Sequence, residues 1–100
     1  MDEIEVNKAK VLRGDIIEIL YRNYGVDIKI AVLKNCLRLN GWMTDEDIKK
    51  AVFYLGGEGK RYVHTVPSDK NFFDSLIWLT PMGVNLAEGD IKDVGVVLDE

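Results

Sequence analysis

Cysteine and histidine each occur once in this 100-residue chain, as Cys36 and His64. A lone cysteine excludes an internal disulfide framework and any multi-cysteine metal knuckle. A lone histidine leaves no second imidazole to share a metal, so neither a metal nor another cofactor is expected. Ser68 and Ser75 lack any histidine–acid arrangement that the sequence supports. Gly56, Gly57 and Gly59 follow a helical pattern instead of opening one, so they do not form a phosphate cradle. Asp45, Glu46 and Asp47 lack the alternation and the terminal glutamate of a calcium loop. These absences together speak against an enzyme. Apolar runs are only a few residues long, too short to cross a bilayer. The acidic start, Met1 to Glu5, contains no apolar leader core, and the expected compartment is the cytoplasm. Positive charge is not in excess either: a net charge of −4 and a pI near 5.0 oppose bulk attachment to nucleic acid.

What is present fits an ordinary globular chain, with 47% hydrophobic and 30% charged residues. The length suits one domain over residues 1–100, enough for one core and too little for two. No repeat, linker or low-complexity segment divides it. Charge is segregated along the chain: residues 21–70 carry nine basic and six acidic side chains, while both flanking segments are net acidic.

The strongest local signal runs from Thr44 to Thr80. Thr44 reads as a helix N-cap, and Asp47 three residues on completes a capping box. Met43 and Ile48 are spaced for a hydrophobic staple, and Asp45, Glu46 and Asp47 suit the positive end of a helix dipole. Ile48, Ala51, Val52 and Leu55 recur at helical spacing, and Gly56-Gly57 is the expected left-handed stop. Two β-rich runs follow, Lys60 to Val66 and Leu76 to Leu79, joined by a polar tip from Pro67 to Asn71. In the first, Tyr62, His64 and Val66 share one face. Thr80-Pro81 then opens a short helix to Glu88, closed by Gly89.

Upstream, Leu12, Ile16, Ile19 and Leu20 form one stripe of a helix from Asn7 to Tyr24, widened by Ile17, Tyr21 and Tyr24. Gly14 interrupts it at a cost of roughly 1 kcal/mol against alanine, which points to close approach of another backbone or a break. Residues 1–7 read as an N-terminal arm. Gly25 stops the helix, and Asp27 is placed to cap a second one from Ile28 to Leu39. That helix turns Ile30, Ala31, Leu33 and Leu37 inward and ends at Asn40-Gly41. Trp42 is a candidate for a small third strand. Residues 90–100 alternate acids with Val94, Val96, Val97 and Leu98, as a strand, a docking arm or a tail that orders in a dimer.

Three sequence segments carry a family resemblance: Thr44–Leu55, Gly59–Val63 and Ile77–Gly83. In this order they resemble the winged helix-turn-helix superfamily of small bacterial, archaeal and phage regulators, and the compact size with the ending Gly89-Asp90 to Gly95-Val96 resembles the small winged-helix proteins of Mu-like prophages. The likeness covers about residues 8–89. It implies an α+β winged helix-turn-helix fold, with a three-helix core, a β-hairpin wing and a short C-terminal helix. It also implies a DNA-binding transcription regulator whose helix 44–55 enters the major groove and whose hairpin 60–79 reaches the backbone. Carried over by position, Lys49, Lys50 and Phe53 lie on the reading face, and Lys60, Arg61, Lys70 and Asn71 belong to the wing or its base. Lys34 and Arg38, with Lys29, are placed for phosphate contacts. The implied partner is double-stranded DNA, bound by a homodimer that pairs through the first and last helices and the tail.

The chain departs from a strong reader in two ways: no arginine, asparagine or glutamine faces outward from helix 44–55, and its first turn is acidic. A second reading follows, in which the same fold docks a protein through Asp45 to Asp47 and an exposed Phe53. Simpler roles stand beside each candidate. Lys49 and Lys50 are spaced to pair with Asp45 and Glu46 along the helix. His64 is expected as a packed or half-buried ring and Cys36 as a buried small hydrophobe. Trp42, Trp78, Phe72 and Phe73 are expected in the core and hairpin stem.

Overall fold

The computed structural model describes residues 3–38 and 42–98. Among them it shows a mixed α+β domain of four α-helices and a three-stranded antiparallel sheet. Helix α1, Glu3–Arg22, is the spine against which α2 (Ile30–Cys36), α3 (Asp45–Gly56) and α4 (Pro81–Ala87) pack. The expected arm is therefore already helical from Glu3, where Glu3 and Glu5 suit the dipole of the first turn. The α1 stripe is buried as expected at Leu12, Ile16, Ile17, Ile19 and Leu20, but Tyr21 and Tyr24 are exposed. Gly25 ends this segment with φ +93°, a conformation that costs glycine little.

The second helix differs from its sequence reading. Ile28–Lys29 forms strand β1, and α2 starts only at Ile30, with Lys29 at the cap position and no side-chain cap bond. Asp27 is thus not the N-cap. Pairing decides this: β1 lies antiparallel to β3 (Leu76–Leu79), with Ile28 opposite Ile77, and Ile30 N–H continues the ladder to Ser75 O at 2.9 Å. The third strand is therefore β1, and Trp42 lies 74% exposed outside the sheet. Helix α2 ends at Cys36, so the expected end at Leu39 is too late, and the Asn40-Gly41 stop lies outside the described residues. Cys36 faces solvent instead of the core, because Ile30, Leu33 and Leu37 take the buried positions.

Helix α3 follows its sequence signals closely. Thr44 Oγ1 accepts from Asp47 N–H at 3.1 Å and Thr44 N–H donates to Asp47 Oδ2 at 3.0 Å, the reciprocal pair of a capping box. These bonds hold the Asp47 carboxyl below its ordinary pKa, the bond from the Thr44 backbone contributing most. Ile48, Ala51, Val52 and Leu55 are buried. The C-terminal stop is not left-handed, however. Gly57 has φ −64°, and the positive φ falls on Arg61, at 55°. A turn accounts for it: Lys60 and Arg61 N–H both donate to Gly57 O at 2.9 Å, and Tyr62 N–H reaches Leu55 O at 2.8 Å.

That turn delays the first strand, so β2 spans Val63–Val66 instead of starting at Lys60. Tyr62 precedes it and is buried, while His64 and Val66 face out, which breaks the shared face read from alternation. The sheet order is β1-β3-β2, with His64 opposite Trp78 and Val63 opposite Leu79. His64 is exposed and lies against the Trp78 ring, centroids 4.7 Å apart, instead of being packed inside. The hairpin tip folds back on itself as a single 3-10 turn, Phe72–Asp74.

Helix α4 begins at Thr80, whose Oγ1 accepts from Gly83 N–H at 3.1 Å. Beyond Gly89, at φ +83°, the tail crosses back over α1 within the same chain, and Val97 N–H donates to Lys10 O at 3.1 Å. Gly14 is the point of closest approach: a β-carbon there would stand 1.6 Å from Val97 O. None of the described helices is long and apolar enough to cross a membrane.

Candidate functional site

The exposed face of α3 and the hairpin are the two walls of an open groove of about 590 Å³. Lys49, Val52, Phe53, Gly56 and Gly57 line the helix side, and Val63, His64, Thr65 and Phe72 line the other. Phe53 stands 84% exposed, since the apolar stripe of α3 is complete without it. Lys49 Nζ sits 5.8 Å from the centroid of Phe72, a weak cation–π contact across the groove. Lys50 lies on the opposite flank, where a second depression is shared by Arg13, Glu46, Lys49, Lys50, Phe53 and Tyr54.

The other sequence candidates divide into three groups. Three cations are committed to carboxylates. Lys34 meets Asp45 at 2.7 Å, so Asp45 pairs with α2 and not with Lys49 four residues on. Arg38 forms a two-point contact with Asp15, Nε to Oδ1 at 3.0 Å and backbone N–H to Oδ2 at 2.9 Å, and approaches Glu18 at 3.8 Å. Lys60 meets Asp93 at 2.8 Å. Asn71 is spent on local structure: its Oδ1 accepts from Phe73 and Asp74 N–H, and its Nδ2 donates to Asp74 Oδ2 at 2.9 Å. The third group, Lys49, Lys50, Arg61 and Lys70, has no carboxylate within ion-pair distance among the described residues. The expected pairs from Asp45 to Lys49 and from Glu46 to Lys50 do not form.

Phe72 and Phe73 meet edge to face, centroids 5.2 Å apart, and pack partly buried against the core, as expected for a hairpin stem. Phe73 also carries Lys34 Nζ at 5.3 Å, so the hairpin tip leans towards α2.

Sequence reasoning missed two buried carboxylates. Asp15, 2% exposed, ties α1 to the end of α2 through Arg38. Asp93, its side chain 3% exposed, receives four donors: Tyr54 and Gly95 N–H at Oδ1, Tyr62 and Lys60 at Oδ2. Burial alone would raise the Asp93 pKa, but Lys60, Tyr62, Gly95 and Tyr54 override it and hold the carboxyl far below the usual range. Lys60 is shifted up by the bond to Asp93, then by Tyr54, and Tyr62 is pushed up to about 12 by burial and by Asp93.

The signs agree on a stability profile. A depressed carboxyl stabilises the fold fully above its unfolded pKa of about 3.9 and loses that contribution as pH falls towards the folded value. A raised phenol does the reverse, its contribution fading between about 10 and about 12 as pH rises. Below pH ~4 the chain should lose stability more steeply than an Asp93→Asn variant, by at most about 1.4 kcal/mol per pH unit. Urea unfolding at pH 6, 4 and 3 reads this out, and parallel slopes for the two proteins would remove Asp93 from the account.

No known family model, curated protein or solved structure matches this chain.

Proposed function

We propose that this chain is a winged-helix DNA-binding protein, a transcription regulator in which α3 enters the major groove and the β2–β3 hairpin is the wing. The observation that carries the reading is that Lys49, beside the open groove, and Lys50, on the adjoining flank, are exposed on α3 with no carboxylate in ion-pair range among the described residues. The order of elements supports it, with three helices, a hairpin and a closing helix on one small sheet. The acidic first turn of α3 is also less repulsive than its sequence suggests. Lys34 neutralises Asp45, which leaves Asp47, ionised in the Thr44 cap, and Glu46 as the opposing charges. A homodimer pairing through α1 and α4 would present two such helices to two half-sites.

The test is fluorescence titration with a random-sequence duplex over a range of salt. Replacing Lys49 and Lys50 together by alanine should flatten the log K against log salt slope by about 1.8, two phosphate contacts at ~0.9 each. Melting should stay within about 0.5 kcal/mol of the parent, because both side chains are at the surface. An unchanged slope would remove α3 from the interface.

A second reading rests on Phe53. A phenyl ring 84% exposed over a groove floored by Val52, Val63 and Phe72 suits an apolar side chain of a protein partner at least as well as a phosphate. Binding to duplex that is weak and insensitive to salt would favour this protein-docking function.

A further inference from the structure

The bonds around Asp93 describe a receptor as well as a lock. Tyr54 from the last turns of α3, Lys60 from the turn after it and Tyr62 at the approach to β2 aim two hydroxyl donors and one ammonium at the same point. All three belong to the body of the domain, and an oxyanion is the group that satisfies the Lys60 ammonium and accepts from both phenols at once. The tail supplies the carboxylate, together with the Gly95 N–H. Beside this cup, the Arg13 guanidinium lies 4.0 Å over the Tyr54 ring and holds the tail through Gly95 O at 3.0 Å. Arg13 Nε is buried and has no hydrogen-bond partner among the described residues, so the tail fills the cup without satisfying every donor at its wall. The cup is continuous with the face that carries the groove lysines: Arg13 and Tyr54 line one depression with Lys49, Lys50 and Phe53.

We propose that Tyr54, Lys60 and Tyr62, with Arg13 beside them, form a phosphodiester-binding cup at the edge of the α3 face, which Asp93 of the chain's own tail occupies and masks. This rests on the DNA-binding reading above. Lys60 is then a backbone contact withheld by the tail.

Two variants open the cup by independent routes in the full chain. Asp93→Asn removes the competing charge. Gly14→Ala alters no cup residue and drives the β-carbon against Val97 O, lifting the strap from α1. With a labelled random-sequence duplex, each should bind about threefold more tightly at physiological salt and steepen the log K against log salt slope by about 0.9, one added phosphate contact. Adding Lys60→Gln to Asp93→Asn should return the slope to the parent value. Parent and variants with the same steep slope would overturn the cup and leave the DNA-binding reading standing. Weak, salt-independent binding by all of them would overturn both. If Asp93→Asn fails to fold, Gly14→Ala decides alone, and an unchanged slope in that variant defeats the proposal.

Discussion

Replacing Gly83 by alanine should destabilise the domain by about 3 kcal/mol, the upper end of what overpacking a closed site costs. Gly83 is buried in the first turn of α4, and an added β-carbon would fall 2.2 Å from Tyr62 O and 2.5 Å from a Leu79 methyl. Neither neighbour has room to yield. Tyr62 O accepts Thr80 N–H and the Thr80 hydroxyl, each at 3.0 Å, and Leu79 is 2% exposed in the strand paired to β2. Relief requires α4 to move off the sheet, which separates the Thr80 cap from the carbonyls it bridges. For a domain of this size the expected fall in Tm is about 12–24 °C. Thermal unfolding by circular dichroism checks it, and a fall under about 4 °C would mean that the helix start shifts at little cost.

The contrast between Thr80 and Asp93 shows what a sequence makes legible. Both N-caps, at Thr44 and Thr80, were readable because a side chain bonds to a backbone N–H three residues away, inside one window of chain. Strand Leu76–Leu79 was readable to the residue because its β-rich run is bounded by polar and capping residues. The close approach at Gly14 was visible as a glycine that no helix needs, although its partner Val97 was not. By contrast, β1 is two residues long and owes its existence to Leu76 and Ile77 across the sheet. A helical pattern beginning at Ile28 has no means of registering that pairing. The Asp93 bonds span 31 and 39 positions to Tyr62 and Tyr54, and nothing beside Asp93 marks it among the other acids of the tail. Asp15 did leave a trace, as a charge set directly between Gly14 and the buried Ile16 and Ile17. A lone acid inside an apolar stripe calls for a buried partner. The same long-range pairing explains the site. The family resemblance points to ten candidate positions, but tertiary carboxylates decide that Lys34, Arg38 and Lys60 are occupied and that, among the described residues, Lys49 and Lys50 are not.

Gly14→Ala should cost about 2 kcal/mol, even though alanine is worth roughly 1 kcal/mol more than glycine inside a helix. The local gain and the tertiary loss have opposite signs, and the structure says which is larger. A β-carbon 1.6 Å from Val97 O cannot be housed by rotating a side chain, because the obstacle is backbone. The helix is anchored by five buried aliphatic side chains from Leu12 to Leu20, whereas the tail over it is held mainly by Val96, the Asp93 bonds, the Arg13–Gly95 bond and the Val97–Lys10 hydrogen bond. The tail is therefore the part that moves. Unseating it re-exposes Val96, worth about 1.5–3 kcal/mol, and breaks a backbone bond worth about 1 kcal/mol, which together exceed the propensity gain. The expected fall in Tm is about 8–16 °C. Amide exchange at Val97 should accelerate to that of an open chain while the amides of α3 keep their protection relative to global stability. A rise in Tm would show that helix propensity outweighs the strap, and that the tail is a passive cover.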